Sequence, residues 1–573
     1  MSDDRKRTKR ACDLCNQKRV KCDGELPVCR QCQRSGSICS YNREEKKRGR
    51  ASARYPKTII RRKPTKRELQ LRLRPVTNSI ELPDLSECRY RLLGPFLSEI
   101  TALGISVRLA CDLYEHYFSQ PPLYSIGPIL RPRRWLVPMG ETGPTAKPDP
   151  DPRYGGTTLQ LILAILLTSL CDIGHPFFLG AIKRDMLSAC YQRILELLPV
   201  EQSLSHTTAK SDQFDDVVVF AMLSGTAPLI TRPHDSLEWA ELGCRTALRL
   251  RINHELPQLE SISEEDREER RRAWWCLVVT ANYLGGVFNT RPAVDESQST
   301  QLYRPCAQDL WIDSKAALIP ASLDPKRLRG LDLAIQDGVY GWLLPFAIVL
   351  GRIDCLAADR FENPDTLVDP MAQSRCIQQL AILESTLIAA HDSGRVCEMD
   401  YLMCQLYTTI TYNAARRSRL WDPQEVFEHP FPIDELDDKS WLFAAIDILN
   451  KIYTANPTMR EQSLTRGFFL FMLGIELLAC VDSVASVALA KTERVTRLRF
   501  AANLAMRTME SLNAYITTDY LRLLVTYMRD SLRDLDNLVL LNDYDEELAK
   551  NRARRKHGIS VFSWREGGTG ISI

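Results

Sequence analysis

At 573 residues the chain is too long for one ordinary domain and long enough to bury a large core. Its 45% hydrophobic and 26% charged residues are the proportions of a soluble globular protein. No run reaches the ~18 uninterrupted apolar residues of a membrane span, and the charged start, Met1 to Arg10, leads into no apolar segment of a secretory signal, so a membrane or secreted protein is not expected. The net charge of +3 conceals an asymmetry: residues 1–76 carry 24 Lys or Arg against 8 Asp or Glu, and the rest is acidic. One end suits a polyanion and the body does not.

Residues 1–11 read as a basic tail and residues 12–40 as a compact module holding six of the 18 cysteines: Cys12, Cys15, Cys22, Cys29, Cys32 and Cys39. Their spacing is C-x2-C-x6-C written twice. Zn2+ is the soft-ligand, tetrahedral ion that such thiolate pairs favour. Two tetrahedral ions need eight ligand positions, and six cysteines supply them if two thiolates bridge both ions. The spacing therefore predicts a shared two-zinc cluster. A single structural zinc, redox thiols or a cross-braced ubiquitin-ligase module are the alternatives, but ligase modules use a His ligand and the first histidine here is His116.

The run Ala11-Cys12-Asp13-Leu14-Cys15-Asn16-Gln17-Lys18-Arg19-Val20-Lys21-Cys22-Asp23-Gly24 resembles the fungal binuclear zinc cluster DNA-binding domain. The resemblance implies that Cys12 and Cys29 bridge, that Cys15 and Cys22 complete one Zn2+, and that Cys32 and Cys39 complete the other. It places Pro27 at the turn between the halves. It also implies a helix entering the major groove of double-stranded DNA with Lys18 and Arg19 facing guanine edges of a CGG-type triplet. Lys21, Arg7, Lys9 and Arg10 are then placed for phosphates, which add affinity without sequence information.

Residues 41–84 read as a flexible basic linker. With the tail they carry the clusters Arg5 to Arg10, Lys46 to Arg50 and Arg61 to Arg67, read as signals for the nuclear import machinery. The stretch Arg67 to Pro75 alternates with period two and ends at a proline, so it predicts no coiled coil. Any homodimer is expected to form through the body.

Residues 85–550 read as a large all-helical regulatory domain, and 551–573 as a C-terminal tail, giving a mainly α chain. Apolar residues three and four apart predict helices at Leu159 to Leu170, Met186 to Leu198, Leu237 to Leu250 and Arg270 to Phe288, while Pro138 to Gly156 reads as a loop. Ser263 ahead of Glu264-Glu265-Asp266 predicts a capped helix start. Arg270 to Leu277 with Arg291-Pro292 is similar to the middle homology region of fungal-specific transcription factors, although Asn289-Thr290 departs from its usual glycine. Tyr340 to Pro345 with Leu350 to Ile353 resembles that region in regulators related to the xylanolytic activators. Trp274, Trp275 and the scattered cysteines are expected in the core. Residues 530–548 mix acids with leucines as activation segments do, but read better as an amphipathic helix.

No nucleophile elbow, phosphate loop or dinucleotide fingerprint is present, so no enzyme is expected. The expected function is nuclear transcription regulation with the transcription machinery or co-regulators as partners. A specialised-metabolite gene cluster is the favoured target, and nutrient, above all carbohydrate, utilisation the alternative.

Overall fold

The computed structural model describes residues 11–18, 20, 22–23, 28–36 and 39–40. From 85 to 562 it describes all but 120–128, 141–156, 172–182, 199–212, 232–233, 257–261, 289, 295, 300, 314, 337–338, 363–367, 418–419, 458–464, 485–486, 514–518 and 542–545. Two compact units divide the chain, Met1–Ile80 and Glu81–Ile573. Among the described residues there is no strand, only two isolated bridges, Tyr90 with Pro138 and Tyr303 with Arg329.

In the larger unit most helices pack on their neighbours in sequence. Val107–Ser119 lies on Leu159–Cys171, which meets Lys183–Leu197 and Phe214–Ile230. Phe214–Ile230 packs on Asp235–Arg249, that helix on Glu264–Phe288, and that one on Val339–Glu362. Further on, Pro370–Asp392 packs on Glu398–Arg416, and Thr465–Asp482 on Glu493–Asn513 and Asp519–Leu541. Leu159–Cys171 is buried at every position after its first, because it has no polar face to give to water. The segment Tyr340–Arg360 is long and apolar enough to cross a membrane, yet it too is mostly buried inside the body, as a core helix. Ten of the twelve cysteines outside the N-terminal cluster are buried, with Cys355 partly exposed and Cys397 exposed.

The Glu264–Phe288 helix starts as its sequence predicts, with the Asp266 N–H donating to Ser263 Oγ at 3.1 Å. Trp274 and Trp275 are fully buried, and their indole N–H groups donate to Ser299 Oγ at 3.0 Å and the Tyr303 carbonyl at 2.8 Å. Ahead of them lies a buried ionic network that periodicity does not reveal. Arg271 donates twice to Glu255 at 2.8 Å and reaches Glu264 and Glu268. Arg272 donates to the Cys306 carbonyl at 2.8 Å and lies 4.6 Å over the Trp311 ring. Arg131, fully buried, joins Glu265 to this assembly.

The end of the body differs from expectation. Residues 551 onward do not begin a tail, because one helix runs through Glu546–Ile559 and Phe562 is buried. The reason is Arg555, fully buried and bonded to Asp482 at 2.7 and 3.0 Å and to Asp534 at 2.6 Å. Asp519–Leu541 is likewise a helix with Leu535 and Leu538 buried, as the amphipathic reading expects for residues 530–541, whereas 542–545 lie outside the described residues and Glu546 starts a separate helix.

Two buried acids respond oppositely to pH. Burial raises the Glu268 carboxyl, but the guanidinium groups of Arg327, Arg272 and Arg271 outweigh it and hold the group below its usual range. Burial holds Asp354 well above its range, with only a backbone bond from Gly286 to oppose it. Asp354 lies so close to the Glu264–Phe288 helix that a Cβ on Gly286 would sit 3.1 Å from its Oδ1. A depressed acid gives stability that is present above its unfolded value and lost as pH falls; a raised one gives stability that is full below that value and lost as pH rises. Glu268→Ala, which removes the carboxylate that Arg271, Arg272 and Arg327 share, is expected to destabilise the body by roughly 3–5 kcal/mol. Asp354→Asn should stabilise it at neutral pH and flatten the decline in stability with rising pH. Denaturant titrations at several pH values check both.

Candidate metal centre and nucleic-acid interface

In the smaller unit two short helices, Asp13–Gln17 and Arg30–Arg34, start 17 residues apart, the same offset that separates Cys12 from Cys29, Cys15 from Cys32 and Cys22 from Cys39. The hydrogen bonds keep that offset. The Cys15 N–H donates to the Cys12 sulfur at 3.3 Å, and the Cys32 N–H to the Cys29 sulfur at 3.4 Å. The Cys12 N–H donates to the Cys22 sulfur at 3.5 Å, and the Cys29 N–H to the Cys39 sulfur at 3.4 Å. A doubled sequence has become a pseudo-twofold structure.

Matching closures brace the outside. The Asp13 N–H donates to the Ser40 carbonyl at 2.8 Å, and at the equivalent place the Arg30 N–H donates to the Asp23 carboxylate at 3.1 and 3.2 Å. Sequence reading gave Asp23 and Ser40 no role. The signal was available, since each directly follows the third cysteine of its half.

Four sulfurs, those of Cys12, Cys15, Cys29 and Cys32, all lie within 4.8 Å of one another. Cys12 to Cys29 is 3.7 Å, Cys12 to Cys32 is 3.6 Å and Cys15 to Cys29 is 3.8 Å. A tetrahedron with metal–sulfur bonds of about 2.3 Å has edges of about 3.8 Å, so these separations fit thiolates around Zn2+. Cys22 and Asp23 form a second close group with Cys29. Desolvation raises the thiols of Cys12, Cys15 and Cys32. N–H donation from Cys32 lowers Cys29, and N–H donation from Cys29 lowers Cys39. At Cys29 and Cys39 the backbone thus outweighs desolvation and favours the thiolate before any metal charge is counted.

Among the described residues around the sulfurs, only Leu14 adds a further partly buried apolar side chain to the cluster. A unit this small cannot be held by such a core, and a metal supplies the missing free energy. The pseudo-symmetry stops at the cations. Lys18 and Arg19 follow the first helix, whereas the equivalent positions in the second half are Ser35 and Gly36. Gly36 takes φ +60°, the left-handed stop that ends the second helix. At the first helix the Lys18 N–H donates to the Leu14 carbonyl at 2.9 Å, which carries the exposed Lys18 one position past the helix. Arg19, Lys21, Arg7, Lys9, Arg10 and Pro27 lie outside the described residues, as do the three basic clusters and the candidate coiled-coil stretch.

Residues 10–48 match the family described as the fungal Zn(2)-Cys(6) binuclear cluster domain, and this segment of the chain is such a domain, binding two zinc ions. The curated relatives are fungal transcriptional activators. The xylanolytic transcriptional activator xlnR of Emericella nidulans is 21% identical over 592 aligned residues, covering 85% of this chain and 64% of the relative. The protein of the same name from Aspergillus clavatus is 54% identical over 334 residues, covering 46% of this chain and 33% of the relative. That of Aspergillus niger is 58% identical over 48 residues, covering 8% of this chain and 5% of the relative. The chain therefore spans less than two thirds of the length of these relatives. No solved structure matches.

Because metal binding and folding are coupled in so small a unit, a chelator added to the full chain should unfold residues 11–40 and leave the helical body folded. Hydrogen exchange resolved by segment checks this, the expected result being loss of protection confined to the cysteine module.

Proposed function

We propose that this chain is a nuclear, sequence-specific transcription regulator that reads CGG-type triplets in double-stranded DNA through the two-zinc module. The observation that carries the reading is the broken symmetry of that module: a pseudo-twofold sulfur frame with its adjacent Lys-Arg pair on one half only. Six thiolates hold the two ions, Cys12 and Cys29 bridging, Cys15 and Cys22 completing one site, Cys32 and Cys39 the other. With both ends of the first helix tied to the cluster, Lys18 and Arg19 are held to read guanine O6 and N7, where long cationic side chains bond best. Lys21, Arg7, Lys9 and Arg10 neutralise phosphates.

The names of the relatives favour a regulator of carbohydrate utilisation over one dedicated to a specialised-metabolite cluster, and the body-wide alignment with a xylanolytic activator supports the same choice. The basic clusters flanking the module serve nuclear import, and the body is the part that meets the transcription machinery or co-regulators. The body also carries any self-association, because residues 67–75 lack the heptad a coiled coil needs.

Lys18→Ala and Arg19→Ala are each expected to lose roughly 1–3 kcal/mol of discrimination at one base pair. Lys9→Ala should weaken binding to all DNA alike and flatten its salt dependence. Competition binding against single-base variants of a CGG site distinguishes these. Equal losses on specific and random DNA for Lys18 and Arg19 would contradict the reading.

A further inference from the structure

The helix Pro370–Asp392 packs one face into the body through Cys376, Leu380, Leu383, Leu387 and Ala390. Its other face is unusual for a surface. Met371 is 71% exposed, Ile382 45% and Ile388 42%, three of the exposed large apolar side chains among the described residues gathered on one helix. Between them the exposed positions are Ser374, Gln378, Ala381, Ser385 and Ala389, uncharged and mostly small. Arg375 is the sole charged side chain classed as exposed between 371 and 391, and Asp392 ends the helix with its side chain 73% exposed. A solvated helix face normally carries charges of both signs along its length. Its exposed charges are one cation near the start and one anion at the end, with Glu384 half-buried midway between them.

We infer that this face is a self-association surface, occupied by the same face of a second copy in antiparallel, two-fold contact. The inference rests on the reading above that any dimer forms through the body. The charge placement selects the occupant. A two-fold centred between Leu383 and Glu384 sets Arg375 of each copy level with Asp392 of the other, so the two exposed charges fall within reach of one another. The same centre sets Ile382 level with Ser385 and Gln378 level with Ala389, alternating larger side chains with small ones along the seam. A strongly acidic partner would find only Arg375, and a strongly basic one only Asp392 and the half-buried Glu384.

Area sets the strength. A helix of 23 residues is about 34 Å long, and a strip about 10 Å wide along it buries on the order of 700 Å2 over both copies, below the ~1,200–2,000 Å2 of a stable complex. The contact is weak in free solution and is reinforced when two zinc modules sit on neighbouring triplets, where the second binding event becomes intramolecular.

The test is sedimentation of the zinc-loaded full chain over a concentration series, with binding to a single-triplet DNA as the control. The wild type should show concentration-dependent dimerisation, and Ile382→Glu should weaken it roughly tenfold or more. Arg375→Asp and Asp392→Arg should each weaken it, and the two together should restore it, a rescue that misfolding cannot produce. Binding to one triplet should stay unchanged in every variant, and loss of that binding would count against the proposed DNA-reading function instead. A chain monomeric at all concentrations, a dimer indifferent to Ile382→Glu, or a charge swap without rescue would overturn the inference.

Discussion

Six thiolates cannot complete two separate tetrahedra, and the N-terminal unit depends on that shortage. Two sulfurs must serve both ions, which forces the two halves of a doubled motif into one cluster rather than two beads on a string. The 17-residue offset shared by the cysteines, the helices, the sulfur-directed N–H bonds and the outer closures is what such sharing requires. Among the described residues of this unit little more than Leu14 packs against the sulfurs, and a five-residue helix is far too short to persist alone. Tied to the cluster through Cys12 and Cys15, that helix sets the backbone at Lys18, and base reading needs directed side chains where phosphate attraction does not.

The body meets the opposite problem. It has apolar surface to spare, so hydrophobic burial supplies its stability, and polarity inside it must be matched group by group. The arginine-rich turn before Trp274 and Trp275 does this matching: Arg271 and Arg272 converge with Arg327 on Glu268, and the Cys306 N–H donates to the same carboxylate. Burying so many charges yields little net stability, because desolvation offsets the attraction. What it gains is specificity, since segments near residues 131, 268, 306 and 327 can meet in few other ways. Arg555 does the same for the last helix, whose position depends on Asp482 and Asp534.

The parts legible in the sequence were those whose signal is local. The cysteine spacing showed the repeat, and Ser263 with three following acids marked the start of a long helix to the residue. Apolar periodicity found Leu159–Cys171 and Asp235–Arg249, and it placed the paired tryptophans inside. Long-range pairing was not legible. Nothing near Arg131 announces a partner at Glu265, and nothing near Arg555 announces Asp482, so a basic C-terminal segment read as a tail although its central guanidinium is buried. Asp354 was missed for a related reason, since an acid on an apolar helix looks exposed until the glycine pair opposite it is seen. In the module the closures at Asp23 and Ser40 were readable from the offset, but only to a reader already treating the halves as equivalent.

The relation between a metal-built module and a hydrophobically built body explains why one chain carries two kinds of sequence pattern. The module needs few residues at fixed spacing, while the body needs many at a period. Zinc K-edge X-ray absorption on the purified full chain tests the shared cluster most directly. The account predicts two zinc per chain in all-sulfur coordination at about 2.3 Å, together with a zinc–zinc scattering path from the bridged pair. One zinc per chain, nitrogen or oxygen in the first coordination sphere, or two zincs without a metal–metal path would contradict it.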